Sequence, residues 1–461
     1  MSTTTKCKTY TTEDIRKMIH GLDVPVKGSS PAINLDNAAT TPPFKAVVSE
    51  IYDKLQMYGS IGRGTGQKSV FTSEVYEKGR ETVKEFVGLE PDNDIYTVIY
   101  TNSTTDGINK LASALIEDCK GDMSAICTRM EHHANDLPWR VRLGVNNIFY
   151  ADVDGLGRLK VWDIERLLQE NKNIKYVCVT AASNVTGYVN DIHMIAKIAH
   201  RYGAKIVVDG AQIVAHRKFN MLGSTPDENI DFFVFSAHKM YSPFGGGVIV
   251  GLTDILNKHK PRFFGGGMVS AVYDYNVDFA PLPDLYEAGS PNYPGVVGML
   301  KSMEILKDIG FDYIQNHEAQ LMERVIGNLS KISGKHEVYL YGDNVYYNDR
   351  VGIIVFNIGK FSGDYVSGFL AEQSAIAVRH GKFCSHPYVN RLLKNHGSLA
   401  FGGCSQAGMV RVSFGIYTSF EEVDSFVNTV EMIAAGEVDA VSVMADGLFV
   451  RRGVRLPNDR G

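Results

Sequence analysis

Between residues 95 and 250, short apolar runs alternate with stretches of helical period, and this alternation narrows the choice of fold more than any other feature of the chain. The runs "TVIYT", "NNIFYAD", "KYVCVTAAS", "KIVVDGAQ", "DFFVFSAHK" and "GGVIVG" are each bounded by polar residues or Gly. Between several of them lie helical periods such as "DGINKLASALIED" and "DIHMIAKIAHRYG", the second closing on a Gly suited to a helix C-cap. Strand–helix alternation builds βαβ units, hence an α/β fold with a mostly parallel sheet and helices on both faces. Ligands in such sheets bind beyond the carboxyl ends of the strands. The polar residues singled out below follow apolar runs at that end or lie in loops.

A chain of 461 residues exceeds what one core usually carries, so two domains are expected. The Gly-rich "FFGGGM" and the Pro-rich "APLPDLYEAGSPNYPG" break the alternating pattern. A long helical stretch, "VVGMLKSMEILKDIG" running on into "DYIQNHEAQLMERVIGNLSKI", then bridges to a second unit with "VGIIVFNIG", "AIAVRHG" and "GMVRVSFG" as strands. The division expected is an N-terminal segment 1–33 packed with the smaller domain, a large domain 34–300, a small C-terminal domain 301–445, and an aperiodic tail 446–461.

A net charge of -5 argues against a nucleic-acid partner, which calls for a basic face. A small-molecule substrate fits better. The start, "MSTTTKCKTYTTEDIRKMIH", lacks an apolar signal core, and no later window reaches the length of a membrane span, so a cytoplasmic location with no membrane contact is expected. The six cysteines at 7, 119, 127, 178, 384 and 404 show neither CxxC pairs nor zinc spacing, so no metal site is expected. They read as free thiols of a reducing compartment, with Cys178 a core filler.

The chemistry starts at Lys239. A lysine at the end of a buried strand loses hydration, which lowers its pKa and leaves a nucleophilic amine fit to form a Schiff base with an aldehyde. A plain surface lysine is the alternative. Asp209 ends the preceding buried run, "IVVD", and a carboxylate there can hold a pyridinium nitrogen protonated. The ordered pair, Asp after one buried strand and Lys after the next, points to pyridoxal 5'-phosphate (PLP).

Thr104 and Thr105 precede a helical period, so their hydroxyls and the free N–H groups make either a phosphate site or an ordinary helix cap. Ser236 and His238 stand at the right strand end to add donors. His132 or His133 of "MEHHAND" offers a ring for stacking, and Gln212 and Asn184 offer hydrogen bonds to a phenolic oxygen, each with a structural alternative. Cys384 sits in "AVRHGKFCSHPY" among Arg379, His380, Lys382 and His386, a field that favours a reactive thiolate over an inert filler. Arg411, inside the strand-like "GMVRVSFG", needs an anion: a substrate α-carboxylate or an internal ion pair.

The segments "LDNAATT", "NSTTDGIN", "EHHAND", "SNVTG", "VDGAQ", "FSAHKMYSPFGGG", "YEAGSPN", "VRHGKFCSHPY" and "VRVSFG" stand in an order that resembles PLP-dependent class V aminotransferase-fold enzymes, most of all the cysteine desulfurase and selenocysteine lyase branch. The resemblance covers roughly residues 34 to 430. It implies the fold type I PLP-dependent transferase architecture, with a seven-stranded sheet in the large domain. It implies removal of sulfur or selenium from L-cysteine or a related amino acid, through an enzyme persulfide, to leave alanine. A class V aminotransferase, epimerase or C–S lyase without a nucleophilic cysteine is the alternative.

By the same resemblance Lys239 carries the cofactor and moves the substrate proton, Asp209 meets the pyridine nitrogen and His132 stacks on the ring. Gln212 and Asn184 approach the phenolic oxygen. Thr104, Thr105, Ser236 and His238 hold the phosphate, joined by Ser290 from a second subunit of a homodimer. Arg411, Arg379, Arg63 and Asn184 bind the substrate, and Cys384 takes the sulfur before passing it to an acceptor protein. The chain departs from the family pattern in "IGRGTGQK", where Gly62 and Gly66 replace histidines beside Arg63, and at Lys382 and Phe383 before the cysteine.

Overall fold

The computed structural model describes residues 10–27, 30–62, 64–117, 123–345, 347–359, 361–395 and 408–437. The C-terminal tail and the reading of it lie outside those residues, as do Arg63, Cys7, Cys119 and Cys404.

Each of the six apolar runs of the alternating region forms a strand, and "SAICT", not singled out as a run, forms a seventh. In chain order these are β1 (Tyr96–Thr101), β2 (Ser124–Thr128), β3 (Ile148–Ala151), β4 (Ile174–Thr180), β5 (Lys205–Asp209), β6 (Phe232–Ser236) and β7 (Gly247–Leu252). They make one seven-stranded sheet in the order β1-β7-β6-β5-β4-β2-β3. Only β7 runs against the rest.

All five residues of β6 are buried, because both faces of the sheet are covered. Phe233 and Phe235 enter one core layer while Phe232 and Val234 enter the other, the period-two alternation of a strand. Cys178 and Cys127 are fully buried within these layers. The helix Thr104–Glu117 lies tight on the sheet at Gly107, where a Cβ would come within 2.6 Å of the Val234 Cγ1.

The second core belongs to a four-stranded antiparallel sheet of β8 (Val338–Tyr341), β9 (Ile353–Ile358), β10 (Arg379–Gly381) and β11 (Met409–Ser413), ordered β8-β9-β11-β10. Helices Phe311–Ser333, Gly363–Ser374 and Phe420–Ala435 supply the apolar residues facing it. The bridging stretch is two helices rather than the single one expected. Tyr293–Ile309 and Phe311–Ser333 meet at Gly310, whose φ of 90° no helix accommodates.

The chain start divides between the two cores. Tyr10, Ile15, Ile19 and Leu22 join the core of the large sheet, whereas Ile33 and Asn34 pair with Ile376 and Ala377, and Leu35 is buried in the small core. Asp36 forms a bridge with Ser413 of β11, and Thr41 donates its backbone N–H to the His238 carbonyl at 3.0 Å. Residues 35–41 therefore tie the small sheet to the strand ends of the large one. No helix among the described residues is long and apolar enough to cross a membrane.

Candidate active site

The carboxyl ends of β4, β5 and β6, the start of helix Thr104–Glu117 and the loop after β10 enclose a cavity of about 320 Å³. Its lining includes Thr104, Thr105, His132, Asn184, Asp209, Gln212, Ser236, His238, Lys239, Arg379, Cys384 and Arg411. β5 and β6 are parallel neighbours, so Asp209 and Lys239 leave the sheet at the same end. Among the described residues no group of three His, Cys, Asp or Glu is arranged to hold a metal ion.

Lys239 sits on a short 3-10 turn, Ala237–Lys239, that follows β6 directly. Burial lowers its pKa to about 8, with Asp209 opposing and Arg411 adding to the shift. Asp209 is itself buried, which raises its pKa although Lys239 and the Ala211 N–H, 2.9 Å from Oδ1, act the other way. A cationic ring nitrogen beside it would stabilise its charged form.

His132 caps the helix His133–Leu143, its Nδ1 accepting from the Ala134 N–H at 3.0 Å. A backbone N–H only donates, so Nδ1 carries no proton and the neutral ring keeps its hydrogen on Nε2. Burial, Lys239, His133 and Arg411 together lower the His132 pKa to about 3. His238 is likewise lowered to about 4 by burial and Lys239. Both imidazoles are uncharged at neutral pH, suited to stacking and hydrogen bonding rather than to carrying charge.

Opposite them the helix Thr104–Glu117 presents its N-terminus. Thr104 Oγ1 donates to Ser236 Oγ at 3.1 Å, joining the helix start to the end of β6. Ser103, Thr104 and Thr105 all line the cavity there, so the start of the helix and its hydroxyls converge on one point, as an anion site requires.

The loop after β10 brings in an exposed Cys384. Phe383 and Cys384 both take left-handed backbone, with φ of 50° and 54°, which costs a non-Gly residue about 1 kcal/mol or more. Contacts on both carbonyls hold them. Asn184 Nδ2 donates to Phe383 O at 2.7 Å, and the His133 N–H donates to Cys384 O at 2.7 Å. The next residue, Ser385, is buried and donates its hydroxyl to the Glu131 carbonyl at 2.9 Å. Asn184, expected at a phenolic oxygen, lines the cavity and also donates from its amide nitrogen to the cysteine loop.

Arg411, on β11, is 2% exposed. Its Nη1 donates to the Asn184 carbonyl at 2.9 Å, its Nη2 to Asp36 Oδ1 at 3.0 Å, and its guanidinium lies 5.0 Å from the Phe383 ring centre. Burial lowers its pKa to about 10, opposed by Asp36. Arg379 reaches the same carboxylate, with Nη2 2.9 Å from Oδ2. The internal ion pair read for Arg411 is therefore present, in a residue that also lines the cavity.

Two expected site residues are not among those that line the cavity within the described chain. Ser290 is exposed and outside the lining of this cavity, and Arg63 lies outside the described residues. Two residues that sequence reasoning passed over belong to the site's support. Asp36, in "LDNAATT", signals itself only as a charge directly after an apolar residue. Glu131, beside His132, is buried and accepts from Thr128 and Asn135 at 2.6 Å each and from the Thr180 N–H at 3.0 Å. Burial raises its pKa to about 8 against those bonds.

Comparison with known proteins agrees with this geometry. The family model described as Aminotransferase class-V matches residues 33–426. A probable cysteine desulfurase of Halalkalibacterium halodurans is 32% identical over 422 residues, which is 91% of this chain and 97% of that protein. A cysteine desulfurase of Haloferax volcanii is 33% identical over 408 residues, 87% of this chain and 89% of the relative.

Among solved structures, the apo cysteine desulfurase of Thermococcus onnurineus NA1 superposes with a TM-score of 0.81 at 28% identity, covering 93% of this chain and all of that one. The cysteine desulfurase CsdA of Escherichia coli gives 0.76 at 25% identity, covering 94% of this chain and 100% of its own. The seven-stranded large domain and the smaller α/β domain are the fold type I architecture of PLP-dependent transferases. With both sheets and the strand-end cavity inside the family match, the chain belongs to the class-V aminotransferase family.

Proposed function

We propose that this protein is a PLP-dependent desulfurase that takes sulfur from L-cysteine, or selenium from the selenium analogue, onto Cys384 and leaves alanine. The observation that carries the reading is one cavity lined at once by a buried, deprotonation-prone lysine and an exposed cysteine thiol.

The residues present fit the cofactor. Gln212 Oε1 and Arg411 Nε are buried, have no hydrogen-bond partner among the described residues and belong to residues lining the cavity, so an occupant with hydroxyl and acidic groups would satisfy them. Thr104, Thr105, Ser236 and His238 would hold a phosphate, Asp209 a ring nitrogen, and the neutral His132 a ring face. When bound, PLP supplies an electron sink for charge released at the substrate Cα.

The protein does the rest. Arg411 and Arg379 orient the substrate carboxylate, and the Lys239 amine takes the Cα proton. Cys384 Sγ forms a bond to the substrate sulfur as the Cβ–S bond breaks, the proton of the Cys384 thiol ends on Cβ, and Lys239 returns a proton to Cα, giving alanine and a persulfide on Cys384. Burial of the lysine keeps a free amine within reach of neutral pH, where an exposed one would be protonated.

Three further parts of the reading have structural support. A homodimer suits Ser290, which is exposed on its own chain and free to reach a second copy's cavity, and it suits the exposed aromatics Phe263, Phe264, Tyr273 and Tyr275. An acceptor protein suits the exposure of Cys384. Bound phosphate and carboxylate suit the single-site convergence of helix terminus and arginines.

The test is Cys384→Ser. Persulfide and sulfide formation should fall by about 10^3-fold or more, as when a covalent nucleophile is removed. Uptake of PLP, followed by absorbance, should stay at the wild-type level. Unchanged turnover would instead make the protein a lyase that needs no thiol.

A pH experiment probes Lys239 separately. The rate at which cofactor-free protein takes up PLP should rise with pH through about 8 and level off above, because only the neutral amine reacts. Asp209 raises this pKa, so Asp209→Asn should move the midpoint to lower pH. A midpoint near that of an ordinary exposed lysine contradicts the assignment.

A further inference from the structure

Cys384 follows β10 of the small sheet, whereas Lys239 follows a strand of the large one. For the thiol and the amine to act on one substrate, the loop after β10 must be fixed against the large sheet. The contacts that fix it are reciprocal. Ser385, fully buried, donates its hydroxyl to Glu131 O at 2.9 Å and to Met130 O at 3.3 Å. In return the His133 backbone N–H donates to Cys384 O at 2.7 Å. Cys384 is thus held from both sides by residues 130–133, the segment that carries His132.

That segment is anchored in turn. The buried Glu131 carboxylate accepts from Thr128 and Asn135 at 2.6 Å each and from the N–H of Thr180, the last residue of β4, at 3.0 Å. Thr180 pairs in register with Asp209 at the end of β5. Ser385 also precedes the helix His386–Asn395, its carbonyl accepting the Val389 N–H at 3.1 Å. A serine in that position usually turns its oxygen toward the helix N–H groups. This one directs its proton across to the large sheet instead.

We propose that Ser385 is a positioning residue that, with the His133 N–H, clasps the loop after β10 to residues 130–133 and holds Cys384 at the cavity before substrate arrives. The inference rests on the proposed function in giving Cys384 the sulfur. The φ of 54° at Cys384 is one that a non-Gly residue keeps only while its surroundings enforce it. The location matters, because the Cys384 thiolate raises the pKa of both Lys239 and Arg411 and so lies within the field of each. Opening the clasp displaces the sulfur and leaves the amine, His132 and the arginines in place.

The test is made on the holoenzyme. Ser385→Ala should slow persulfide formation on Cys384 from L-cysteine, followed in a single turnover, by about tenfold or more. Asn184 still bonds Phe383 O, so the loop shifts rather than unfolds, and a displacement of about 1 Å suffices for such a loss. Exchange of the L-alanine Cα hydrogen with deuterated water needs Lys239 and no thiol, so it should keep the wild-type rate. Amide hydrogen exchange across residues 382–389 should quicken about tenfold.

His133→Pro reaches the other half of the clasp. His132 has φ -62° and ψ 148°, which a following proline accepts, and residue 133 opens the helix His133–Leu143, where proline fits. His133→Pro should therefore form persulfide about tenfold more slowly than His133→Ala, which keeps the N–H. This comparison also serves if Ser385→Ala folds poorly. Sulfur transfer at the wild-type rate in Ser385→Ala overturns the proposal. So does an equal fall in Cα exchange, which would make Ser385 a packing residue, or unchanged amide exchange, or equal rates in the two His133 variants. Failure of the proposed function would appear differently: wild type would form no persulfide, with the amide-exchange difference intact.

Discussion

Lys239→Ala is expected to lower L-cysteine turnover by about 10^4-fold, the full scale of a positioned proton-transfer group. The amine is the only basic nitrogen of the cavity lining that is both buried and drawn toward neutrality while remaining nucleophilic, with a pKa of about 8. The candidates for replacing it fail for stated reasons. His132 has its Nδ1 occupied by the Ala134 N–H and its pKa lowered to about 3, and His238 is lowered to about 4. Neither takes up a further proton at neutral pH. Lys239→Arg should not recover the rate, because a guanidinium stays protonated. Alanine release in a single-turnover assay reads the effect, and a small primary amine added to the medium should restore part of it. A residual rate within tenfold of wild type would remove Lys239 from the chemistry.

The second large effect is expected at Arg411. Arg411→Ala should reduce kcat/KM for L-cysteine by about 10^3-fold, mostly through KM, since truncating one partner of a buried charge pair costs 2–5 kcal/mol. The change removes the donor to the α-carboxylate. It also leaves the Asn184 carbonyl without its guanidinium and Asp36 with Arg379 alone. Chemical denaturation should show a loss of about 3 kcal/mol, the low end for a broken buried pair because Arg379 remains. Arg411→Lys should recover little, as a point charge does not reproduce a planar fork that meets Asn184, Asp36 and the Phe383 ring together. A variant with unaltered KM would show that the carboxylate binds elsewhere.

Six of the seven strands of the large sheet were legible because each is a local fact, while β2, the short "SAICT", was not singled out. A fully buried parallel strand must be an unbroken apolar run, as Phe232–Phe235 is, and the residue that ends the run must emerge at the sheet's edge. Asp209 and Lys239 followed from that rule together with the tendency of successive strands to lie side by side, which β5 and β6 obey. The helix start at Thr104 and the cap at His132 are likewise set within a few residues. Gly310 was the local miss: one glycine at positive φ splits a helix whose apolar period runs on undisturbed on either side.

The substrate end of the cavity obeyed no such rule. Asp36 and Arg411 stand 375 residues apart, Asp36 and Arg379 343, and Asn184 and Phe383 199. An isolated Asp or Asn in a sequence carries no mark of the partner it will meet, since a charge can be balanced by solvent, a neighbour or a distant strand at similar cost. Periodicity and end position in the linear chain were enough for six of the strands, the lysine and its acid. Which cations share one carboxylate, and which carbonyls hold the cysteine in left-handed backbone, waited on the docking of the small sheet against the large one. Ion pairs and hydrogen bonds act over about 3 Å of space and are indifferent to distance along the chain.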